Sequence, residues 1–201
     1  MGFRDDYIKS YKILLGSRSP RRKQLLNGLG LDFEIWIKEE QEEIFPDGLH
    51  PTEVATYLAK AKADPYLSDL LNKDILITAD TIVALGDEIL LKPASRTEAA
   101  SSLQKLLGRE HIVITGICLS STDKCTCFYS ETNVKFASLD EDEIYYYIDN
   151  YAPYDKAGAY GIQEWIGYIG VESINGSYFN VMGLPVQKLY KELKIFTGYK
   201  T

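Results

Sequence analysis

Short apolar runs alternate with stretches of helical period along this chain, and that alternation constrains its fold more than any other feature. Tyr11–Leu15 (YKILL) is apolar and stops at Gly16, the pattern of a buried strand. Ser19 then offers an N-cap oxygen and Pro20 a first helical position, with Leu25, Leu26 and Leu29 on the inward face. Gly28 or Gly30 ends this helix, and Asp32–Ile37 reads as a second strand. After an acidic stretch at residues 39–43 and a Pro46-Asp47-Gly48 turn, Pro51-Thr52-Glu53 opens a helical pattern through Val54, Leu58 and Ala61 towards Leu67–Leu71. Asp74–Thr78 is again a short apolar run that stops at Asp80, and a hairpin follows from Ile82–Leu85 through Gly86-Asp87 to Ile89–Leu91.

The second half repeats the alternation. Thr97 caps a helix over Thr97–Leu107 that Gly108 closes, and His111–Leu119 and Cys125–Phe136 read as two long strands. Leu139–Asn150 is a helix led by acids, with Ile144, Tyr145 and Ile148 facing inward. The Gly/Ala-rich stretch Asp155–Gly161 is too small-residued to pack well by itself, Asn175-Gly176 signals a hairpin, and Pro185 starts a last helix through Leu189 and Leu193. The class is therefore α/β with a mixed sheet and flanking helices.

At 201 residues and 45% hydrophobic, the chain suffices for one domain with a sizeable core. No apolar run approaches the roughly 18–20 residues of a membrane span, and the first residues lack an apolar signal region. A soluble, cytoplasmic protein is expected. The net charge of −7 disfavours nucleic acid, which is bound by counterion release from Lys and Arg, but leaves room for a local basic pocket. The two histidines, His50 and His111, leave little for a Ser-His-Asp triad or a His-rich zinc site. Catalysis would fall to carboxylates, Lys and Arg, with an oxygen-ligated metal such as Mg²⁺ or Mn²⁺. Of the three cysteines, Cys125 and Cys127 share one strand face. A C-x-C pair without a second ligand cluster is a weak zinc signal, and reduced structural thiols are the expectation.

Four segments carry chemistry. Arg21, Arg22 and Lys23 crowd the first turn of the helix after Gly16, where the macrodipole disfavours cations by about 0.3–1 kcal/mol each. Either this is a solvated basic helix end, or an anion sits on the free N–H groups and reverses the sign. The strand–Gly–Ser–helix context favours the anion. Asp80-Thr81 lies at the carboxyl end of a buried run, where open α/β sheets bind ligands. An acid beside phosphate needs a cation or a proton, so Asp80 reads as a metal ligand, a general base, or an ordinary cap. Lys92-Pro93 aims an ammonium, and one member of Glu39–Glu43 could complete a metal site with Asp80. Asp155–Gln163 combines small residues with the charged pair Asp155-Lys156, and Gln163 can read a base edge if the stretch is more than a tight turn.

Together these segments resemble the Maf family of nucleotide pyrophosphatases, the septum-formation-inhibitor proteins. The matches are S-R-S-P-R-R at Ser17–Arg22, A-D-T-I-V at Ala79–Val83, K-P at Lys92-Pro93, D-K-A-G-A-Y-G-I-Q at Asp155–Gln163 and G-S-Y-F-N-V-M-G-L-P at Gly176–Pro185. The likeness runs from Lys12 to Phe196. It implies one two-lobed Maf/ITPase-like domain over residues 1–201, a mixed twisted sheet with flanking helices around a central nucleotide-binding cleft, often dimeric. The implied reaction cuts nucleoside triphosphates between the α and β phosphates, giving the monophosphate and pyrophosphate. Asp80 matches the family's proton acceptor, while Arg21, Thr81 and Gln163 match positions linked to substrate choice. Ser17, Arg22, Lys62, Lys92 and Lys156 match other pocket residues, with Asp155 beside them. The family's D-E or E-E pair falls within Glu42-Glu43, a register ambiguous by one residue that leans to Glu43. The implied mechanism has Mg²⁺ or Mn²⁺ on Asp80 and one of these glutamates, with Arg21, Arg22, the Ser17 loop and Lys92 steadying the departing pyrophosphate. The Y-G-I-Q ending resembles the branch acting on dTTP and UTP. The rival is a non-catalytic nucleotide-binding regulator of cell division.

Overall fold

In the computed structural model, which describes residues 8–39 and 43–198, strand β1 (Lys12–Leu15) lies parallel to both β2 (Phe33–Ile35) and β3 (Asp74–Leu85). Leu15 stands opposite Ile35 on one side and Ile77 on the other. Residues 13–15 and 74–80 are buried throughout, as expected of parallel strands covered on both faces. Helix α1 (Pro20–Asn27) follows β1, and α2 (Pro51–Ala61) precedes β3. Further along come β4 (Glu88–Leu90), α3 (Arg96–Leu106), β5 (Glu110–Ser120), β6 (Cys125–Phe136), α4 (Glu141–Tyr151), α5 (Trp165–Gly170), β7 (Val171–Gly176), α6 (Tyr178–Val181) and α7 (Val186–Phe196). The sheet is mixed, since β4 runs antiparallel to β3 and β7 antiparallel to β6. No helix among the described residues is long and apolar enough to cross a membrane.

The chain divides into two compact units. Unit 1 comprises residues 1–80, 115–130 and 183–201, and unit 2 comprises residues 81–114 and 131–182. Strands β3, β5 and β6 each contribute residues to both. In unit 1 the strand order is β2-β1-β3-β5-β6, with a core that includes Leu14, Ala59, Tyr66, Leu70 and Leu76. In unit 2, β4 pairs β3, and the order continues through β5, β6 and β7. There α3 and α4 bury Leu103, Leu106, Ile144, Tyr147 and Ile148.

Several expectations are corrected. The second strand is shorter than Asp32–Ile37, because only Phe33–Ile35 pair with β1; Trp36 turns its ring edge onto Tyr66 at 5.0 Å. The second helix ends at Ala61 rather than running on to Leu71. Pro65 disfavours helix at Asp64 and lacks an N–H, so Asp64–Asp69 forms a 3-10 turn instead. The run DILIT does not stop at Asp80: β3 continues unbroken to Leu85 because β4 pairs its far end, Val83 opposite Leu90. Ser95, not Thr97, caps α3, its Oγ accepting from the Glu98 N–H at 3.2 Å. Tyr147 rather than Tyr145 faces the core of α4, while Tyr145 lies on the helix flank under the Arg96 guanidinium, 4.1 Å from its ring centre.

Asn175-Gly176 makes no hairpin turn. These residues close β7 against Asn133 and Thr132 of β6, and Ser177 immediately caps α6, accepting from the Asn180 N–H at 3.3 Å. The small residues of Asp155–Gly161 do pack: Ala159 is fully buried, and Gly158 sits at φ 65° against Val83 of β3. A Cβ on Gly158 would lie 3.0 Å from Val83 Cγ2, so the smallness of that stretch serves close packing within unit 2.

Candidate active site

In unit 1 the link between β1 and α1 builds a basic, hydrogen-bonding turn. Gly16 donates its N–H to Ile77 of β3 at 2.9 Å, and a Cβ there would lie 2.9 Å from Thr78 Cγ2, so the approach requires glycine. Ser17 Oγ accepts from the Ser19 N–H at 3.3 Å, and Ser19 Oγ caps α1 by accepting from the Arg22 N–H at 3.4 Å. Pro20 occupies the first helical position. Arg21, Arg22 and Lys23 therefore do stand in the first turn of an α-helix, against its dipole. Arg22 is anchored: its Nε donates to the Gly183 carbonyl at 2.9 Å and its Nη1 to Ser17 Oγ at 3.4 Å. Burial pulls the Arg22 pKa down, Asp80 raises it, Arg21 lowers it further and Glu43 raises it. The guanidinium stays charged throughout.

Asp80 is buried, 3% exposed, and lies beyond Ile77, the last β3 residue that β1 pairs. The parallel neighbour has thus ended before Asp80, even though β3 itself goes on, and this keeps the acid at the carboxyl edge of the parallel pair. Lys62 reaches it from the C-terminus of α2. His50 and Glu53 fix the start of that helix through a capping box, and Thr78 Oγ1 donates to the Ala59 carbonyl at 2.7 Å, tying its last turn to β3. A cation at that terminus is favoured by the helix dipole. The Lys62 ammonium donates to Glu43 Oε1 at 2.9 Å and to the Asp80 carboxylate. Unit 1 thus brings Ser17, Arg22, Glu43, Lys62 and Asp80 together; Glu42 lies outside the described residues. Two carboxylates around a point now filled by an ammonium make an all-oxygen donor pair suited to a hard divalent cation.

In unit 2, Lys156 is buried, with its Nζ 2.7 Å from Asp155 Oδ1 and 3.1 Å from Glu164 Oε1. Glu164 also accepts from the Tyr147 hydroxyl, which accepts the Gly161 N–H at 2.9 Å. Burial, then the bond to Glu164, pushes the Tyr147 phenol pKa far up, so it remains a donor. Gln163 Oε1 is buried with no hydrogen-bond partner among the described residues. Thr81 is half-buried in β3, and Lys92 is exposed just after β4.

Sequence reasoning missed three contributors. Gly183 holds Arg22, but its role is a backbone carbonyl and leaves no side-chain signal. Glu164 bridges Lys156 and Tyr147 and stands directly after Gln163, outside the small-residue pattern that drew notice. Tyr147 was within reach, since Ile144, Tyr147 and Ile148 follow helical spacing.

A parallel β1–β3 pair, a basic helix start and an acid–lysine–acid cluster define an α/β protein with a site built to handle an anion. The family model described as Maf-like protein matches residues 12–196, and the chain belongs to that family. A Parabacteroides distasonis protein named dTTP/UTP pyrophosphatase is 53% identical over 189 residues, 94% of this chain and 98% of the relative. Proteins of the same name from Bacteroides fragilis (53% over 187 residues, 93% of this chain and 97% of the relative) and Porphyromonas gingivalis (51% over 193 residues, 95% and 97%) are similarly close. Among solved structures, a dITP/XTP pyrophosphatase from Mycobacterium abscessus aligns over 93% of this chain and 97% of its own, with 15% identity and a TM-score of 0.39. A likeness that weak adds nothing to the assignment.

Proposed function

We propose that this chain hydrolyses nucleoside triphosphates, dTTP and UTP foremost, to the monophosphate and pyrophosphate in the cytoplasm. The observation that carries the reading is the cluster of Arg22, Lys62, Glu43 and the buried Asp80. A mere nucleotide binder gains nothing from a buried acid beside phosphates, which repels them unless it works on a cation or a proton.

A divalent cation, Mg²⁺ or Mn²⁺, held by Asp80 and Glu43, would supply charge neutralisation for the phosphates. Asp80 takes the proton of a water that attacks the α-phosphorus. The bond from that phosphorus to the bridging oxygen breaks, and pyrophosphate leaves with the electron pair. Arg22, fixed by Gly183 and Ser17, lends its positive charge to the leaving oxygens, with Arg21, the Ser17 turn and Lys92 adding charge. Where no cation stands between them, Lys62 holds the two carboxylates in register and offsets their repulsion. Positioning and electrostatics of this kind are most of what phosphoryl chemistry asks of a protein.

Base choice falls to Gln163, with Thr81, Asp155 and Lys156 as further substrate contacts. The buried Gln163 Oε1 is an acceptor awaiting a donor, and uracil and thymine both present an N3–H where cytosine presents an acceptor. The names of the relatives, dTTP/UTP pyrophosphatases, agree with that chemistry. The test is pyrophosphate release from a panel of triphosphates with Mg²⁺, with Mn²⁺ and without either. Metal-dependent release fastest from dTTP and UTP is expected. No release from any triphosphate would end the reading, and a preference for a purine would end its pyrimidine part.

A further inference from the structure

All three cysteines meet within unit 1, and none of them is among the residues assigned to nucleotide chemistry. Cys118 comes from β5 and Cys125 and Cys127 from β6, strands linked by a turn in which the Ser121 N–H donates to the Lys124 carbonyl at 2.9 Å. Cys118 Sγ lies 3.0 Å from Cys125 Sγ, which lies 3.9 Å from Cys127 Sγ, and all three sulfurs fall within 4.8 Å of one another. Ser120 Oγ is 3.4 Å from Cys118 Sγ and 3.7 Å from Cys125 Sγ. None of the cysteines is in a disulfide.

Packing does not account for this arrangement. Buried free cysteine behaves as a small apolar side chain, which suits Cys118 among Leu14, Ala59 and Leu76. Cys125 and Cys127 are exposed and fill no core, yet both turn their sulfurs toward Cys118. A disulfide would use two of the three and strand the last. A metal ion uses all three. Metal–sulfur bonds of about 2.3 Å place tetrahedral ligand sulfurs about 3.8 Å apart, inside the spread seen here. Thiolates select soft ions and not Mg²⁺ or Mn²⁺.

We propose that Cys118, Cys125 and Cys127 form a three-thiolate site for a thiophilic d¹⁰ ion, zinc(II) or copper(I), that clamps β5 to β6. Each thiol gives up its proton to solvent as its sulfur takes the metal, so three protons leave per ion bound, without redox change. Copper(I) is complete with three sulfurs. Zinc takes a fourth ligand from water on the exposed side or from the Ser120 hydroxyl.

The test uses the full chain, reduced and stripped with chelator. Zinc and copper(I) are titrated separately against chromophoric competitors, and cobalt(II) serves as a probe, because thiolate-to-cobalt charge transfer gives a near-ultraviolet band that oxygen ligands do not. One equivalent of zinc or copper(I) and a raised Tm on metal addition are expected, with the cobalt band marking a four-coordinate, zinc-type site. Cys125→Ser with Cys127→Ser, both at exposed positions that leave the core intact, should remove the band and weaken binding at least about tenfold. Cys118→Ala checks the third ligand in the same way. Failure of the wild type to take up one equivalent of either zinc or copper(I), or uptake by the double variant as tight as by the wild type, would overturn the proposal. So would thiols that stay fully open to alkylation at saturating metal.

Discussion

The Lys62 ammonium donates to the buried carboxylate of Asp80 while holding Glu43 from its other side. Asp80→Asn keeps an oxygen for Lys62 and the size of the side chain, but removes the basic electron pair. Turnover is expected to fall by a factor of about 10²–10⁴ or more, the usual contribution of a general base. Nucleotide binding should stay detectable by calorimetry, because the basic turn at Ser17–Arg22 is untouched. Unchanged pyrophosphate release would remove Asp80 from the mechanism.

Arg22 is fixed by contacts that include the Gly183 carbonyl and Ser17 Oγ. Lysine keeps the charge but not the planar fork, so Arg22→Lys must abandon at least one of these contacts. The loss of a charge-assisted hydrogen bond, about 1.5–3 kcal/mol, predicts a drop in kcat/KM of roughly tenfold to hundredfold. Steady-state kinetics with dTTP checks it. A variant within twofold of wild type would show that the anchoring of Arg22 does not matter to phosphate.

The start of the site is legible in sequence because local rules govern it. Ser19 and Pro20 set α1 by capping and a fixed φ, and the crowd of cations in its first turn conflicts with the helix dipole wherever the chain folds. The strand character of residues 12–15 and 74–80 follows likewise from burial on both faces. What sequence could not supply is set by partners distant along the chain. Strand β3 runs past Asp80 because β4 pairs its far end, and β7 takes Asn175-Gly176 because β6 offers it a ladder, which outweighs the hairpin preference of that dipeptide. The third cysteine was invisible as a ligand for the same reason. Spacing along one strand brings Cys125 to Cys127, and only the neighbouring strand brings Cys118.

Tyr147 is fully buried, donating to Glu164 and accepting from the Gly161 N–H. Tyr147→Phe leaves that N–H and one carboxylate oxygen without their partner, a loss of about 1–3 kcal/mol. Urea unfolding should show a lower midpoint with an unchanged slope. Tyr146→Phe, at a position 49% exposed, is the control and should shift stability by less than about 0.5 kcal/mol. Equal effects from the two variants would mean that the Glu164–Tyr147–Gly161 chain stabilises nothing.

His111 sets a pH dependence that can be isolated. It is 1% exposed, its Nε2 is 2.7 Å from the Tyr160 hydroxyl, and its ring meets Phe136 edge-on at 5.1 Å. Burial pulls its pKa down to about 4, against 6.5 for the free side chain. Between those values the unfolded chain binds a proton that the folded chain refuses, so stability rises with pH across that window. The His111 contribution is complete above about pH 6.5 and is lost as pH falls towards 4, a change of roughly 3 kcal/mol. Carboxylates titrate over part of the same range, so the quantity to measure is the difference between wild type and His111→Phe. Losing the bond to Tyr160 adds an offset that does not vary over this range. From pH 7.5 down to 4, the wild type should lose stability faster than the variant by that amount in urea unfolding. Parallel curves would place a proton on His111 in the folded state and rule out a buried, neutral imidazole.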